Sequence, residues 1–296
     1  MKDSLNLSSL LAKYTSNLVK EGAVLIFQVG SSLKAADFLK GLSDVDFLAV
    51  YLEEQKQGLA VDFDEKLGVE INVIKRSVGQ FEAAAATGSS VELGAVYFGK
   101  VLFDADAYAE KLKHFKPSVE TAHKLVEAGS RNFSVASIDM PPTAPYDFLK
   151  ELHHAAKNFA RALILKRLDQ FVDGNTEILK HLEIIDKDLA DNFRRIVNYR
   201  KRFSNAPPLF GEHRAIGKGW YGKAFLAAER LMKAAYLEVD GLKLEFINDL
   251  IRKARCELGG KTSFHGVWFD ETTKEVALSV IVKNEAKTLR FSIPEK

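Results

Sequence analysis

The sequence is short of several things, and each shortage rules something out. It holds one cysteine, Cys256, in 296 residues, so neither an intramolecular disulfide nor a multi-cysteine zinc site can form. Cys256 itself reads as a small, partly buried residue on a helix. No apolar run approaches the roughly 20 residues that a membrane-spanning helix needs. The opening stretch MKDSLNLSSLLAKY lacks the apolar core of a secretory signal. A cytoplasmic protein with no membrane partner is the expectation. Net charge is only +2, which gives little support to nucleic-acid binding as the main role. What is plentiful is ordinary. Hydrophobic residues make up 47% and charged residues 28%, as in globular proteins, and the length suits two cores.

Against that background one stretch stands out. Val24-Leu25-Ile26-Phe27 is a short apolar run of the kind a buried strand shows. Gly30-Ser31-Ser32 follows as a small-residue turn whose backbone can approach a ligand closely. After a polar, Lys-bearing segment that includes Lys34, a second apolar run, Phe47 to Tyr51, is entered through Asp44-Val45-Asp46. Residues two apart on a strand share a face, so Asp44 and Asp46 project side by side. Two carboxylates that close repel unless a cation lies between them, and hard divalent ions such as Mg2+ are the usual answer.

The rest of the chain reads in blocks. Leu7, Leu10, Leu11, Tyr14 and Leu18 have helical spacing and predict an amphipathic helix over 5–20. Residues 53–67 have no clear form, and Val69 to Ile74 alternates as a half-buried strand with Glu70 and Asn72 on one face. Phe81 to Ala86 predicts a helix, Ala95 to Asp104 a strand, and Ala105 to Lys113 another helix. Residues 129–146 carry three of the seven prolines and read as a linker. Beyond it, four apolar stripes at helical spacing, over 152–168, 182–197, 225–236 and 246–254, predict a helical bundle. Gly266–Phe269, Val276–Val282 and Thr288–Ile293 read as hairpin-linked strands. The expected class is α+β. A mixed sheet with flanking helices spans 1–128, a linker 129–146, a bundle 147–260, and a short antiparallel β segment 261–296.

Gly30-Ser31, twelve intervening residues, then Asp44-Val45-Asp46 between two apolar strands resembles the signature of the DNA polymerase β-like nucleotidyltransferases. The likeness is nearest to the minimal and aminoglycoside-modifying members, in which a helical domain, sometimes of the HEPN type, follows the catalytic one. The motifs cover residues 20–105, and only the helical pattern extends the likeness over 147–258. The resemblance implies that Gly30 and Ser31, with Ser32 and Lys34 beside them, hold the phosphates of a nucleoside triphosphate such as ATP. It also implies that Asp44 and Asp46 bind two Mg2+ or Mn2+ ions. Glu70 falls at the place of the third carboxylate, as a ligand or as base on the acceptor hydroxyl. The reaction implied is transfer of a nucleoside monophosphate, AMP from ATP in the first instance, to a small molecule or protein, with loss of pyrophosphate. The chain departs from many relatives in having Ser32-Leu33 where an Arg follows Gly-Ser, and Glu where Asp is commoner at the third place.

Other residues carry weaker signals. Lys34 and Lys40 are loop lysines that solvent or a triphosphate could hold. His153 and His154 are adjacent on a helix and diverge by about 100°, so they do not chelate one ion as an i, i+4 pair would. Arg194, Arg195, Arg200, Lys201 and Arg202 form the most basic run, read as a solvated helix face with triphosphate or RNA contact as alternatives. Trp220-Tyr221 anchors a helix start or walls a nucleobase. Two further functions stay beside the transferase: a toxin–antitoxin type regulatory module and a catalytically silent nucleotide-binding protein. A ribonuclease role for the bundle is disfavoured, because no Arg within 147–258 has a His four to six residues on. The C-terminal strands either cover the bundle or form a homodimer interface.

Overall fold

The computed structural model describes residues 2–33, 44–54, 59–65, 68–138, 145–205, 219–242, 244–258, 262–270, 273–282 and 285–292. These form two compact units, Met1–Ser118 and Val119–Lys296. The class is α+β.

In the first unit the apolar run after Gly22 becomes β1 (Ala23–Val29) and the run after Asp44 becomes β2 (Val45–Tyr51). They pair antiparallel with Val29 opposite Asp46. β3 (Leu59–Asp64) and β4 (Val69–Ser77) complete one side of the sheet, and β5 (Lys100–Asp104) the other. The order is β3-β4-β2-β1-β5, with β2 and β4 parallel and the remaining pairs antiparallel. Period-two alternation sorts the side chains. Ile26, Val45, Phe47, Ala49, Ile71 and Val73 are buried in one cluster with Leu10 and Leu18 of α1 (Lys2–Lys20), and Tyr14 stacks on Phe47 at 5.7 Å. On the opposite face Phe27 stacks on Phe81 of α2 (Val78–Ala86) at 6.3 Å.

Ser77 ends β4 and starts α2 with reciprocal bonds, Gln80 N to Ser77 Oγ at 3.1 Å and Ser77 N to Gln80 Oε1 at 2.8 Å. The strand expected from Ala95 begins later. Residues up to Phe98 belong to α3 (Ser90–Phe98), and only Lys100–Asp104 is strand. Glu92, on the first turn of α3, accepts bonds from Ser89 and from Arg76 of β4, which commits this apolar stretch to a helix. The helix expected over Ala105 to Lys113 starts later, as α4 (Tyr108–Lys111), and continues as a 3-10 turn over Leu112–His114. Its first N–H groups are taken by Asp104.

The second unit begins ten residues before the expected boundary, with α5 (Val119–Ile138). The predicted linker is therefore helix through residue 138, while 139–144 lie outside the described residues. Polarity hid this helix. Ser130 and Ser134 satisfy their hydroxyls on the carbonyls four residues back, both at 2.8 Å. Gly129 is small because α6 (Pro145–Leu168) lies against it, and a Cβ there would meet Phe159 Cε1 at 2.8 Å. Pro145 opens α6, where its missing N–H costs nothing.

The stripe expected as one helix over 182–197 is two, α7 (Asn175–Ile185) and α8 (Lys187–Asn205). Asp186 is extended between them, and its carboxylate caps Asp188 N at 2.7 Å and Leu189 N at 3.1 Å. α9 (Trp220–Val239) and α10 (Leu244–Leu258) follow as predicted, although Cys256 is exposed rather than partly buried. The tail forms the three-stranded antiparallel sheet β6 (Thr262–Asp270), β7 (Glu275–Val282) and β8 (Glu285–Ser292). Val267, Val276, Leu278 and Val280 share the buried core of the helices. Tyr236 of α9, fully buried, bonds to Ser130 of α5 and to the Val267 carbonyl, which ties the tail to the bundle. Among the described residues no helix is long and apolar enough to cross a membrane.

Candidate functional site

The sheet face opposite α1 gathers the residues that the signature picks out. β1 ends at Val29, and Gly30–Leu33 form one 3-10 turn. Gly30 has φ +79, and a Cβ on it would stand 2.3 Å from Asp46 Oδ2. Only glycine lets the turn lie this close to the carboxylate without strain. Ser32 is buried and faces inward. Its hydroxyl accepts from Gln28 Nε2 at 3.0 Å and donates to the Val29 carbonyl at 3.4 Å. Ser32 therefore braces the turn through its side chain. The Ser31 side chain, Lys34 and Lys40 lie outside the described residues.

Asp44 and Asp46 are both half-buried. In the parallel β2–β4 register Asp46 stands beside Asn72 and Val45 beside Ile71, which brings Asp44 abreast of Glu70. Asn72, 7% exposed, donates Nδ2 to Asp46 Oδ1 at 2.9 Å, while its own Oδ1 is buried without a hydrogen-bond partner. One Asp46 oxygen thus accepts from the Asn72 amide, and the other lies where a Cβ on Gly30 would stand. Sequence alternation puts Asn72 on the face of Glu70, but this bond follows from strand register, which local sequence does not carry.

Asp44, Asp46 and Glu70 share a face without forming one ligand set. Among the described residues no group of three or more His, Cys, Asp or Glu is placed to hold a metal ion. Such a face fits an ion that arrives with a nucleotide, since Mg2+ is commonly bound by one or two carboxylates together with substrate phosphates and water. It does not fit an all-protein cage. The orphaned Asn72 Oδ1 agrees with a ligand seated beside Asp46.

The same face continues onto the edge strand. Val61 pairs with Asn72, Phe63 with Glu70 and Leu59 with Ile74, so these three apolar residues share the face of the carboxylates. The alternation Leu59-Ala60-Val61-Asp62-Phe63-Asp64 is the sequence signal that could have found them. Asp62, on the other face, bonds to Tyr14 of α1 and is held below the usual carboxylate range, first by that bond.

His153 is buried between Asn175 and Arg200. Trp220 is buried beside Phe148 and Tyr199, an anchor for the start of α9. Arg194 pairs with Glu183 and Asp191, while Arg195, Lys201 and Arg202 are exposed.

No protein-family model matches the sequence, and no curated protein matches it. Among solved structures the chain is similar to a nucleotidyltransferase-like protein from Exiguobacterium sibiricum 255-15, at 14% identity and a TM-score of 0.34, over 81% of this chain and 77% of that one.

Proposed function

We propose that the first unit transfers a nucleoside monophosphate, AMP from ATP in the simplest case, to a hydroxyl group of a small molecule or protein and releases pyrophosphate. The observation that carries this reading is the approach of the Gly30 turn to Asp46, where a Cβ would fall 2.3 Å from Oδ2. It joins a turn able to offer backbone N–H groups to phosphate with the carboxylates that a metal–triphosphate needs.

The acceptor oxygen attacks the α-phosphorus as the bond to the bridging oxygen breaks, and pyrophosphate leaves with that electron pair. Asp44 and Asp46 would hold the Mg2+ or Mn2+ that accompanies the triphosphate, which when bound supplies charge neutralisation at the phosphates. Gly30 and Ser31 support the leaving pyrophosphate. Glu70, half-buried and on the face of Asp44, receives the proton of the acceptor hydroxyl.

A second reading, a nucleotide-binding protein without turnover, draws on Asn72. The group bonded to Asp46 from β4 is the neutral Asn72 amide, not a carboxylate. One experiment separates the two. Pyrophosphate release and label transfer from ATP, GTP, CTP and UTP are measured with Mg2+ or Mn2+, on wild type and Asp44→Ala/Asp46→Ala. Transfer that the double substitution abolishes establishes the enzyme. Nucleotide-dependent thermal stabilisation without transfer establishes the silent binder.

A further inference from the structure

Leu59, Val61 and Phe63 of β3 are 57%, 58% and 59% exposed, unusual for three large apolar side chains in a row on one face of a strand. Two independent relations fix which face. The antiparallel register sets Val61 beside Asn72 and Phe63 beside Glu70, and the intervening Asp62 bonds to Tyr14 of α1 on the opposite side. The stripe therefore borders the carboxylates. It lies two strands from Asp46, about 10 Å at ordinary strand spacing.

Position across the sheet decides what this stripe meets. The order along the face is the Gly30 turn at the end of β1, then Asp44 just before β2 and Asp46 on it, then Glu70 and Asn72 on β4, then the stripe on β3. In-line displacement puts the attacking group opposite the leaving group. With pyrophosphate at the Gly30 turn, the acceptor enters from the β4–β3 side, its hydroxyl near Glu70 and its body over β3. We infer that Leu59, Val61 and Phe63 select an acceptor whose hydroxyl is borne on an apolar, aromatic or aliphatic, small-molecule body, and not a polycationic sugar. This rests on the proposed transfer reaction and adds the substrate class to it. A polyamine would gain from carboxylates along its whole length, whereas beyond Glu70 this face offers three hydrocarbon side chains.

The test uses the full chain, wild type and Val61→Ser/Phe63→Ser. Both sites are exposed, so the variant folds. Binding of 2-naphthol is followed by its fluorescence with a non-hydrolysable ATP analogue present, and label transfer from ATP is measured to 2-naphthol, to aliphatic alcohols and to an aminoglycoside. The expected result is naphthol binding and transfer to the apolar alcohols, with about a tenfold rise in acceptor KM in the variant, the scale of one lost buried side chain, and no change in analogue affinity. Use of the aminoglycoside with equal efficiency by both proteins overturns the inference and leaves the transferase reading intact. So does loss of analogue affinity in the variant, since the stripe then serves the nucleobase. Absence of naphthol binding also overturns it. Naphthol binding that needs Val61 and Phe63, without transfer to any acceptor, keeps the apolar surface and sinks the reaction.

Discussion

Asn72 donates its side-chain amide to Asp46 across the parallel β2–β4 pair at 2.9 Å, so a neutral group and not a second carboxylate faces Asp46 from β4. A carboxylate at position 72 would face Asp46 directly. Asn72→Asp is therefore expected to lower stability by about 1 kcal/mol in EDTA through like-charge repulsion. It should reverse that loss in Mn2+ with ATP, where the ion bridges the pair. Asn72→Leu removes the bond to a charged group without adding charge and should cost about 1–3 kcal/mol whatever the metal. Thermal unfolding with and without Mn2+ and ATP reads both. An Asn72→Asp protein indifferent to Mn2+ would mean that no ion visits Asp46.

Gly30→Ala tests the contact between turn and carboxylate. The backbone there has φ +79, and the added methyl would overlap Asp46 Oδ2. The left-handed conformation alone costs a non-glycine residue about 1–3 kcal/mol, and the overlap displaces Asp46. The expected outcome is a folded protein, less stable by roughly that amount, that ATP no longer stabilises thermally. Undiminished stabilisation by ATP would separate the turn from nucleotide binding.

These two residues also show where legibility in the sequence ends. Gly30 and Asp46 are readable because each belongs to a local pattern, a small-residue turn after one apolar run and an acidic entry to the next. That pattern also announces β1 and β2. The Asn72–Asp46 bond spans 26 residues and exists only in one strand register, which no local window specifies. The same limit hid α5. Gly129, Ser130 and Ser134 look like loop residues until Phe159 of α6 is laid against Gly129 and the hydroxyls find carbonyls one turn back. At Asp186 the apolar period continues unbroken through a helix end, because a capping carboxylate stops a helix without disturbing the stripe.

Glu92 offers a sharper stability prediction. It is 1% exposed and pairs with Arg76 Nε at 3.0 Å while accepting from Ser89. Glu92→Ala leaves a largely buried guanidinium without this partner, and loss of one member of such a pair costs about 3–5 kcal/mol. Arg76→Met/Glu92→Leu removes both charges and should recover much of that loss. Chemical denaturation of the single and double variants makes the comparison. Equal loss in both would assign the effect to packing around α3 rather than to the stranded charge.

His153 makes the second unit sensitive to acid. The guanidinium of Arg200 can only donate, so its NH1 group at 2.7 Å requires an unprotonated Nδ1, and Nε2 donates to Asn175 Oδ1 at 2.9 Å. A second proton would have to enter facing Arg200. Burial, then the charge of Arg200 and the neighbouring His154, hold His153 well below its ordinary 6.5, and Lys157 adds in the same direction against the opposing bond to Asn175. His154 is pushed down to about 3 by burial and by Arg200, Lys157 and Lys150. The unfolded chain takes up these protons below pH 6.5, and the folded chain does not. Stability is then full above pH 6.5 and falls as the pH drops, by about 1.4 kcal/mol per pH unit for each such histidine. His153→Gln, which can still accept from Arg200, should remove one histidine's share of the slope between pH 6 and 4.5 in denaturant titrations. An unchanged slope would place the proton uptake elsewhere in the chain.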